Sequence, residues 1–119
     1  MTSPAPVRRI TITMLAVLKV LMRDDDPHRH GYAIAREIKK STATVYPILA
    51  RLERAGWVTS AWESREDPAE PKDTGAARKY YRLTDLGRSR AEAAIRERQE
   101  KMAKLVEWAR QVDAPGGAE

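Results

Sequence analysis

The stretch STATVYPILARLERAGWV, residues 41–58, carries the pattern that decides the fold. Ser41 is a favoured helix N-cap, and Gly56 is the kind of residue that ends a helix. Pro47 lies close enough to the first turns to be tolerated. We therefore predict a helix that runs to Ala55. Its buried face follows the spacing i, i+3, i+4, i+7 and consists of Val45, Ile48, Leu49 and Leu52.

Two more helices are predicted before this one. The first begins at Thr11 or Thr13 and ends before the run DDDP, residues 24–27, because acids oppose the helix dipole there and proline cannot continue the hydrogen bonding. These adjacent carboxylates diverge and have no partner ligands at loop spacing, so no metal site is predicted. The second helix follows Gly31. The first helix has its apolar face at Ile10, Met14, Val17, Leu18 and Leu21, and the second is marked on one face by Tyr32, Ala35 and Ile38.

The pattern changes from helix to strand after Gly56. Residues 57–62, WVTSAW, are rich in aromatic and β-branched side chains and predict a strand. Residues 63–77 are polar and predict a long turn with five acids near its tip, and residues 78–83, RKYYRL, predict the returning strand. Three helices followed by a two-stranded hairpin form a winged helix-turn-helix, so the predicted fold is mainly α with a small β-hairpin. One side of the returning strand carries Lys79, Tyr81 and Leu83.

A long last helix is predicted from its cap at Thr84 to about Val112. At ~28 residues it would be about 42 Å long, more than one small core can cover, so its far end needs a second surface. An identical helix from a second subunit is the simplest candidate. The apolar seam has heptad spacing and one charged member, and consists of Ala91, Ile95, Arg98, Met102, Leu105, Ala109 and Val112.

These elements divide the chain into four predicted parts. Residues 1–9 form a disordered N-terminal arm, residues 10–83 a winged helix domain, residues 84–112 a dimerisation helix and residues 113–119 a disordered tail. The predicted dimer interface consists of Ile95, Met102, Leu105, Trp108 and Val112.

Composition and charge narrow the function classes. The net charge is +5, and residues 1–62 supply all of it, with ten Lys and Arg against five Asp and Glu, whereas residues 63–119 have twelve of each. A polyanion is therefore expected to dock on the N-terminal half. The chain has no Cys and no stretch of ~20 apolar residues, so we expect a soluble, cytoplasmic protein. His28 and His30 stand in a predicted loop without a convergent carboxylate, and neither an enzyme nor a cofactor is predicted.

The second and third helices have the arrangement that inserts into the DNA major groove. Hydroxyl groups and free backbone N–H groups near the third helix N-terminus favour a phosphate there, and arginines further along can reach guanine or the backbone. With few long polar side chains on the outward face, much of the affinity is expected to come from phosphates and DNA shape. The residues singled out on this ground are Lys39, Lys40, Ser41, Thr42, Thr44, Tyr46, Arg51 and Arg54.

Three segments resemble the PadR family of transcriptional regulators: HGYAIAREI at residues 30–38, STATVYPILARLERAGWV at residues 41–58 and RKYYRLTDLGR at residues 78–88. The resemblance covers about residues 10–90 and implies a winged helix with a C-terminal dimerisation helix, usually in a repressor. The chain departs from many relatives in a very short connection between the second and third helices and in having one helix after the wing. By resemblance, DNA contact falls on Tyr32, Ser41, Thr44, Tyr46, Pro47, Arg78 and Lys79, and the core on Val45, Leu49, Leu52, Tyr81 and Leu83.

The tryptophans divide by their predicted positions. Trp57 and Trp62 are assigned to the wing base and the core. Trp108 lies at the edge of the seam, where it either packs in the dimer interface or lines a pocket, since some PadR relatives bind planar aromatic effectors between subunits.

The resulting hypothesis is a homodimeric repressor that binds double-stranded DNA at a pseudo-palindromic operator. Two alternatives remain open. One is a winged-helix adaptor that binds proteins, and the other is a replication-control DNA-binding protein of a plasmid or phage that has no effector.

Overall fold

The computed structural model describes residues 7, 9–23, 29–62 and 79–113. The element order and the long last helix confirm the predicted fold class, and a third short strand joins the wing. The predicted turn at residues 63–77, Arg78, the acidic run after the first helix and most of both predicted disordered ends lie outside the described residues. The elements are α1 (Ile12–Met22), β1 (Arg29–His30), α2 (Gly31–Ile38), α3 (Thr42–Arg54), β2 (Val58–Trp62), β3 (Lys79–Leu83) and α4 (Asp85–Asp113).

Helix α1 begins at the first of its two predicted caps. The Thr11 hydroxyl accepts a hydrogen bond from the Met14 backbone N–H at 3.1 Å, which satisfies one of the free donors of the first turn. The predicted apolar face packs in the core of the domain, with Ile10 half-buried beside it. The fully or nearly fully buried residues of α1 are Met14, Val17, Leu18, Val20 and Leu21.

The sheet has three strands in the order β1-β3-β2, all antiparallel. Strands β2 and β3 form the predicted hairpin, and β1 adds a third strand to it. The sequence placed His30 in a loop, and that prediction is wrong. Arg29 and His30 pair with β3, where the His30 ring lies 4.4 Å from the Tyr80 ring, centroid to centroid. Arg29 is 5% exposed, and its Nη1 donates to the Glu37 carboxylate at 3.0 Å. A buried guanidinium needs such a partner, so this ion pair holds β1 against α2.

Helix α2 presents a different face to the core from the one predicted. Its buried residues are Gly31, Ile34 and Ala35, whereas Tyr32 is 59% exposed. The assignment of Tyr32 to the same face as Ala35 and Ile38 is therefore wrong, and Ile34 takes its place in the core. The helix ends where Lys39 adopts a left-handed conformation with φ of 59°.

Helix α3 follows its prediction closely. Ser41 is the N-cap, and all four residues of the predicted face are buried. Gly56 has φ of 80°, the left-handed conformation that ends helices. Trp57 is buried at the base of the wing as predicted. Trp62 is 64% exposed, so its assignment to the core is wrong.

The start of α4 is locked onto the turn between α3 and β2. The Thr84 hydroxyl donates to the Gly56 carbonyl at 2.7 Å and accepts from the Gly87 N–H at 2.9 Å. The Thr84 N–H donates to the Trp57 carbonyl at 2.9 Å. The backbones approach so closely that a Cβ on Gly87 would lie 1.9 Å from the Trp57 carbonyl oxygen. Position 87 therefore admits no side chain.

We predict that Gly87→Ala destabilises the protein by about 2–3 kcal/mol, because the new methyl group must push α4 away from Trp57. At an ordinary helix position the same change would stabilise by about 1 kcal/mol, so the sign of the effect is diagnostic. Chemical denaturation would measure the free energy of unfolding. Ser89→Ala, on the exposed side of the same helix, is the control and should leave it within about 0.5 kcal/mol. A Gly87→Ala variant at least as stable as wild type would contradict the close contact.

Candidate nucleic-acid interface

The connection between α2 and α3 is only three residues long, residues 39–41. The Lys40 N–H donates to the Ala35 carbonyl at 3.0 Å, which closes α2. The Ser41 hydroxyl accepts from the Thr44 N–H at 3.3 Å, which caps α3. Because both ends are closed locally, the Lys39, Lys40 and Ser41 side chains stay exposed at the N-terminus of α3. This is where a helix dipole and free N–H groups attract an anion.

The outward face of α3 is free of intramolecular cover. Its exposed residues include both predicted arginines and the predicted tyrosine, whereas Thr42 is half-buried. Pro47 has no N–H to donate to the Ala43 carbonyl. The structure therefore places the α3 candidates together on one surface: Ala43, Thr44, Tyr46, Pro47, Ala50, Arg51 and Arg54.

Tyr46 is held in place by α2. A Cβ on Gly31 would lie 2.5 Å from Tyr46 Cε1, so the phenol ring rests directly on the glycine. The neighbouring Tyr32 ring has the Arg36 guanidinium 6.0 Å from its centroid. Arg36 is exposed and was not among the predicted contacts. The i, i+4 spacing of Tyr32 and Arg36 could have predicted this contact, because residues four apart are neighbours on a helix surface.

The wing is fixed to α3 by polar contacts. The Ser60 hydroxyl on β2 donates to the Glu53 carboxylate of α3 at 2.6 Å. Tyr81 on β3 is buried on the same side of the sheet, and burial raises the pKa of its phenol, with Tyr46 and Glu53 adding to the shift. These residues join β2 and β3 to α3.

Only one of the two predicted wing cations can be placed. Lys79 is half-buried at the outer end of β3, and Arg78 lies outside the described residues. The Lys79 ammonium lies 5.1 Å from the centroid of the Trp62 ring, within the range of a cation–π contact.

Helix α4 leaves the domain after its first turns. Within α4, only Gly87 and Ala91 are buried, and Ile95 is half-buried. The rest of the predicted interface is exposed in the single chain, and Val106, which the heptad pattern did not include, is exposed beside it. The dimer interface therefore stays a prediction. The exposed apolar residues are Met102, Leu105, Val106, Trp108 and Val112.

A cavity of about 300 Å³ lies where the chain before α1 meets α4. Trp108 is not one of its lining residues, so both interpretations of Trp108, interface or ligand pocket, stay predictions. Arg98, the charged member of the seam, is one of the residues that line the cavity. The full lining is Val7, Arg9, Ile10, Leu15, Ala94, Glu97, Arg98 and Lys101.

No helix among the described segments has both the length and the hydropathy that crossing a membrane requires. In the same segments, no three His, Asp or Glu side chains come together as metal ligands would. The acidic run at residues 24–26 is not covered by that observation.

The sequence profile of the "Transcriptional regulator PadR-like family" matches residues 17–93. A relative from Lysinibacillus sphaericus, described as Uncharacterized protein X, is 29% identical over 89 residues, which cover 68% of this chain and 72% of the relative.

Several solved structures share the fold at identities below 25%. A PadR family transcription regulator from hypervirulent Clostridium difficile R20291 is 23% identical with a TM-score of 0.60, over 81% of this chain and 94% of that one. A PadR-like transcriptional regulator from Bacillus cereus is 16% identical with a TM-score of 0.65, over 82% and 91%. MepR, a transcription regulator of the Staphylococcus aureus multidrug efflux pump MepA, is 22% identical with a TM-score of 0.62, over 83% of this chain. The chain spans 65% of the length of MepR.

We predict that Tyr81 makes the protein less stable at high pH. The folded protein holds the phenol proton more tightly than the unfolded chain does, so this contribution is complete below pH about 10 and is lost as the pH rises above it. The free energy of unfolding should therefore fall more between pH 8 and about 10.5 in wild type than in Tyr81→Phe. Tyr32→Phe, which removes an exposed hydroxyl, is the control and should follow wild type. Equal pH dependence in wild type and Tyr81→Phe would contradict the assignment.

Proposed function

The chain belongs to the PadR-like family of transcriptional regulators, and from this we propose that it is a homodimeric repressor that binds a pseudo-palindromic DNA operator. One observation carries the proposal. The α2–α3 connection and the outward face of α3 leave exposed donors and cations beside a capped helix N-terminus. That combination suits the edge and backbone of a DNA major groove.

Helix α3 is the proposed recognition helix. Its N-terminal N–H groups, with Ser41 and Thr44, would bind a phosphate and set the orientation of the helix in the groove. Tyr46, resting on Gly31, presents a rigid ring and hydroxyl to the backbone or to a thymine methyl group. Arg51, one and a half turns further along, is the residue proposed to reach a guanine edge.

The remaining proposed contacts are electrostatic. Lys39 and Lys40 lie at the entry to the recognition helix, where they can pair with phosphates on either side of the groove. Lys79 supplies a cation from the wing. The full proposed set is Tyr32, Lys39, Lys40, Ser41, Thr42, Thr44, Tyr46, Pro47, Arg51, Arg54, Arg78 and Lys79.

The proposed dimer uses the far part of α4. The exposed apolar residues there lie on a helix of 29 residues, about 43 Å long, of which the chain's own domain buries only the first turns. A second copy of α4 covers this stripe in the proposed dimer, and Trp108 packs at its edge. Two recognition helices about 34 Å apart would then meet successive turns of one face of the DNA. A repressor bound in this way would block access to the promoter.

The first test is DNA binding to the region upstream of the chain's own gene. A footprint should locate a pseudo-palindromic site, and affinity should fall steeply between 50 and 200 mM salt. Loss of the protein should raise transcription from that promoter. Sequence-independent weak binding would favour a protein-binding adaptor, and specific binding without any change in neighbouring transcripts would favour a replication-control protein.

We predict that Lys40→Ala and Arg51→Ala weaken DNA binding in different ways. Lys40→Ala should reduce affinity for all sequences and lower the salt slope by about 0.9, the value for one phosphate contact. Arg51→Ala should cost about 1–3 kcal/mol on the operator alone, because a base contact is lost. Fluorescence anisotropy with operator and random duplexes measures both. Arg110→Ala, near the far end of α4, should change neither, and affinity that does not depend on salt would refute the phosphate contacts.

We predict that Leu105→Glu converts the dimer to a monomer, because it places a charge at the centre of the exposed stripe. Sedimentation equilibrium measures the mass, and circular dichroism checks that the helix persists. Ala103→Glu adds the same charge on another side of α4 and should remain a dimer. A wild-type chain that is monomeric at micromolar concentration, or a Leu105→Glu variant that stays dimeric, would rule out this interface.

A further inference from the structure

The strand register divides the wing into two sides. Directly paired residues share a side, and successive pairs alternate. One side carries the pairs Val58–Leu83, Ser60–Tyr81 and Trp62–Lys79, and the other carries Thr59–Arg82 and Ala61–Tyr80.

The first of these sides faces α3. Val58 is 1% exposed, and Ser60 donates to Glu53 of α3. Tyr81, opposite Ser60, is buried close to Tyr46 and Glu53. Trp62 and Lys79 are the next pair along the same side, and there Trp62 is 64% exposed. This side of the sheet is therefore covered by α3 at its inner pairs and becomes exposed at the outer pair, Trp62 and Lys79.

The exposed ring of Trp62 is a surface on which a partner can bind. Burying a tryptophan removes about 150–250 Å² of its surface from water. Trp62 keeps most of that surface exposed in the single chain. The Lys79 ammonium, 5.1 Å from the ring centroid, gives the pair a positive charge. An apolar ring, an indole N–H donor and an ammonium group together fit a deoxyribose and its phosphate. That charge complementarity, together with the position beside α3, favours DNA as the occupant.

We infer that Trp62 and Lys79 form a DNA-contacting surface on one side of the wing, with the indole packed on the sugar–phosphate backbone and the ammonium paired with a phosphate. The inference rests on the proposed function, since it needs α3 in the adjacent major groove. It gives Trp62 a role in binding in place of the structural role that its sequence position suggested. Because the contact is to the backbone, it contributes to affinity for operator and random DNA alike.

The test uses the full chain and two labelled duplexes, one with the footprinted operator and one of random sequence. Trp62→Ala should weaken binding to both by about 10-fold, because the apolar contact of the indole with the backbone is lost, and Trp62→Phe should retain most of the affinity. Lys79→Ala should weaken binding and lower the salt slope by about 0.9. Arg82→Ala removes the same charge from the opposite side of the same strand and should match wild type.

One double variant tests the side of the wing directly. Ala61→Trp combined with Trp62→Ala keeps an indole in the strand but moves it to the other side, and it should bind as weakly as Trp62→Ala. Restored affinity in this double variant would overturn the inference. Circular dichroism and thermal unfolding confirm that each variant is folded.

Tryptophan emission provides a readout that does not depend on affinity. DNA should protect wild-type emission from acrylamide, and Trp62→Phe, which leaves Trp57 and Trp108, should lose that protection. If Trp62→Ala binds as tightly as wild type and emission shows no protection, while Arg51→Ala still weakens binding, the inference fails and the proposed function stands. If wild type binds neither duplex, both fail.

Discussion

The close contact between the start of α4 and the turn after α3 is the constraint on which the proposed activity depends. Thr84 bonds to the Gly56 carbonyl and to the Trp57 carbonyl, and Gly87 brings the two backbones together with no side chain between them. Three elements meet there: the end of α3, the base of the wing and the first turn of the helix that leaves the domain. Because none can shift without the others, the position of α4 in a dimer would determine the position of α3 on DNA.

A second set of contacts fixes the wing relative to α3. Glu53 bonds to Ser60 on β2, and Tyr81 on β3 is buried near both Glu53 and Tyr46. Tyr46 in turn rests on Gly31 of α2. Helix α3 is therefore supported on two sides by different elements, and its outward face can stay rigid while carrying few long side chains. Such rigidity suits a protein that reads the backbone and shape of DNA, because little side-chain entropy is lost on binding.

The long helices could be predicted because their burial follows a period that the sequence repeats several times. The face of α3 was correct for this reason. The caps at Ser41 and Thr84 were correct because Ser and Thr are favoured at helix N-termini. Strand β1 could not be predicted, since two residues are too few to show a repeating pattern of burial. Its position also depends on the ion pair between Arg29 and Glu37. Helix α2 has only eight residues, too few to decide which of two adjacent faces is buried. The exposure of Trp62 depends on where α3 stops covering the sheet, which is a property of the assembled domain.

The change from buried to exposed residues along α4 explains why the heptad seam has a charged member, Arg98. Ala91 is buried within the chain's own domain, Ile95 is half-buried, and Met102 and Leu105 are exposed. Arg98 lies at the crossing between these two parts, where it lines the cavity beside the chain before α1. The seam is therefore two surfaces in succession, and only about the last four turns are available to a partner. A strict two-stranded coil of that length would be marginal, because sustained coils need three or more heptads. The extra exposed apolar residues Val106 and Trp108 widen the stripe, and this width favours an interface that relies on broad helix packing instead of a narrow heptad seam.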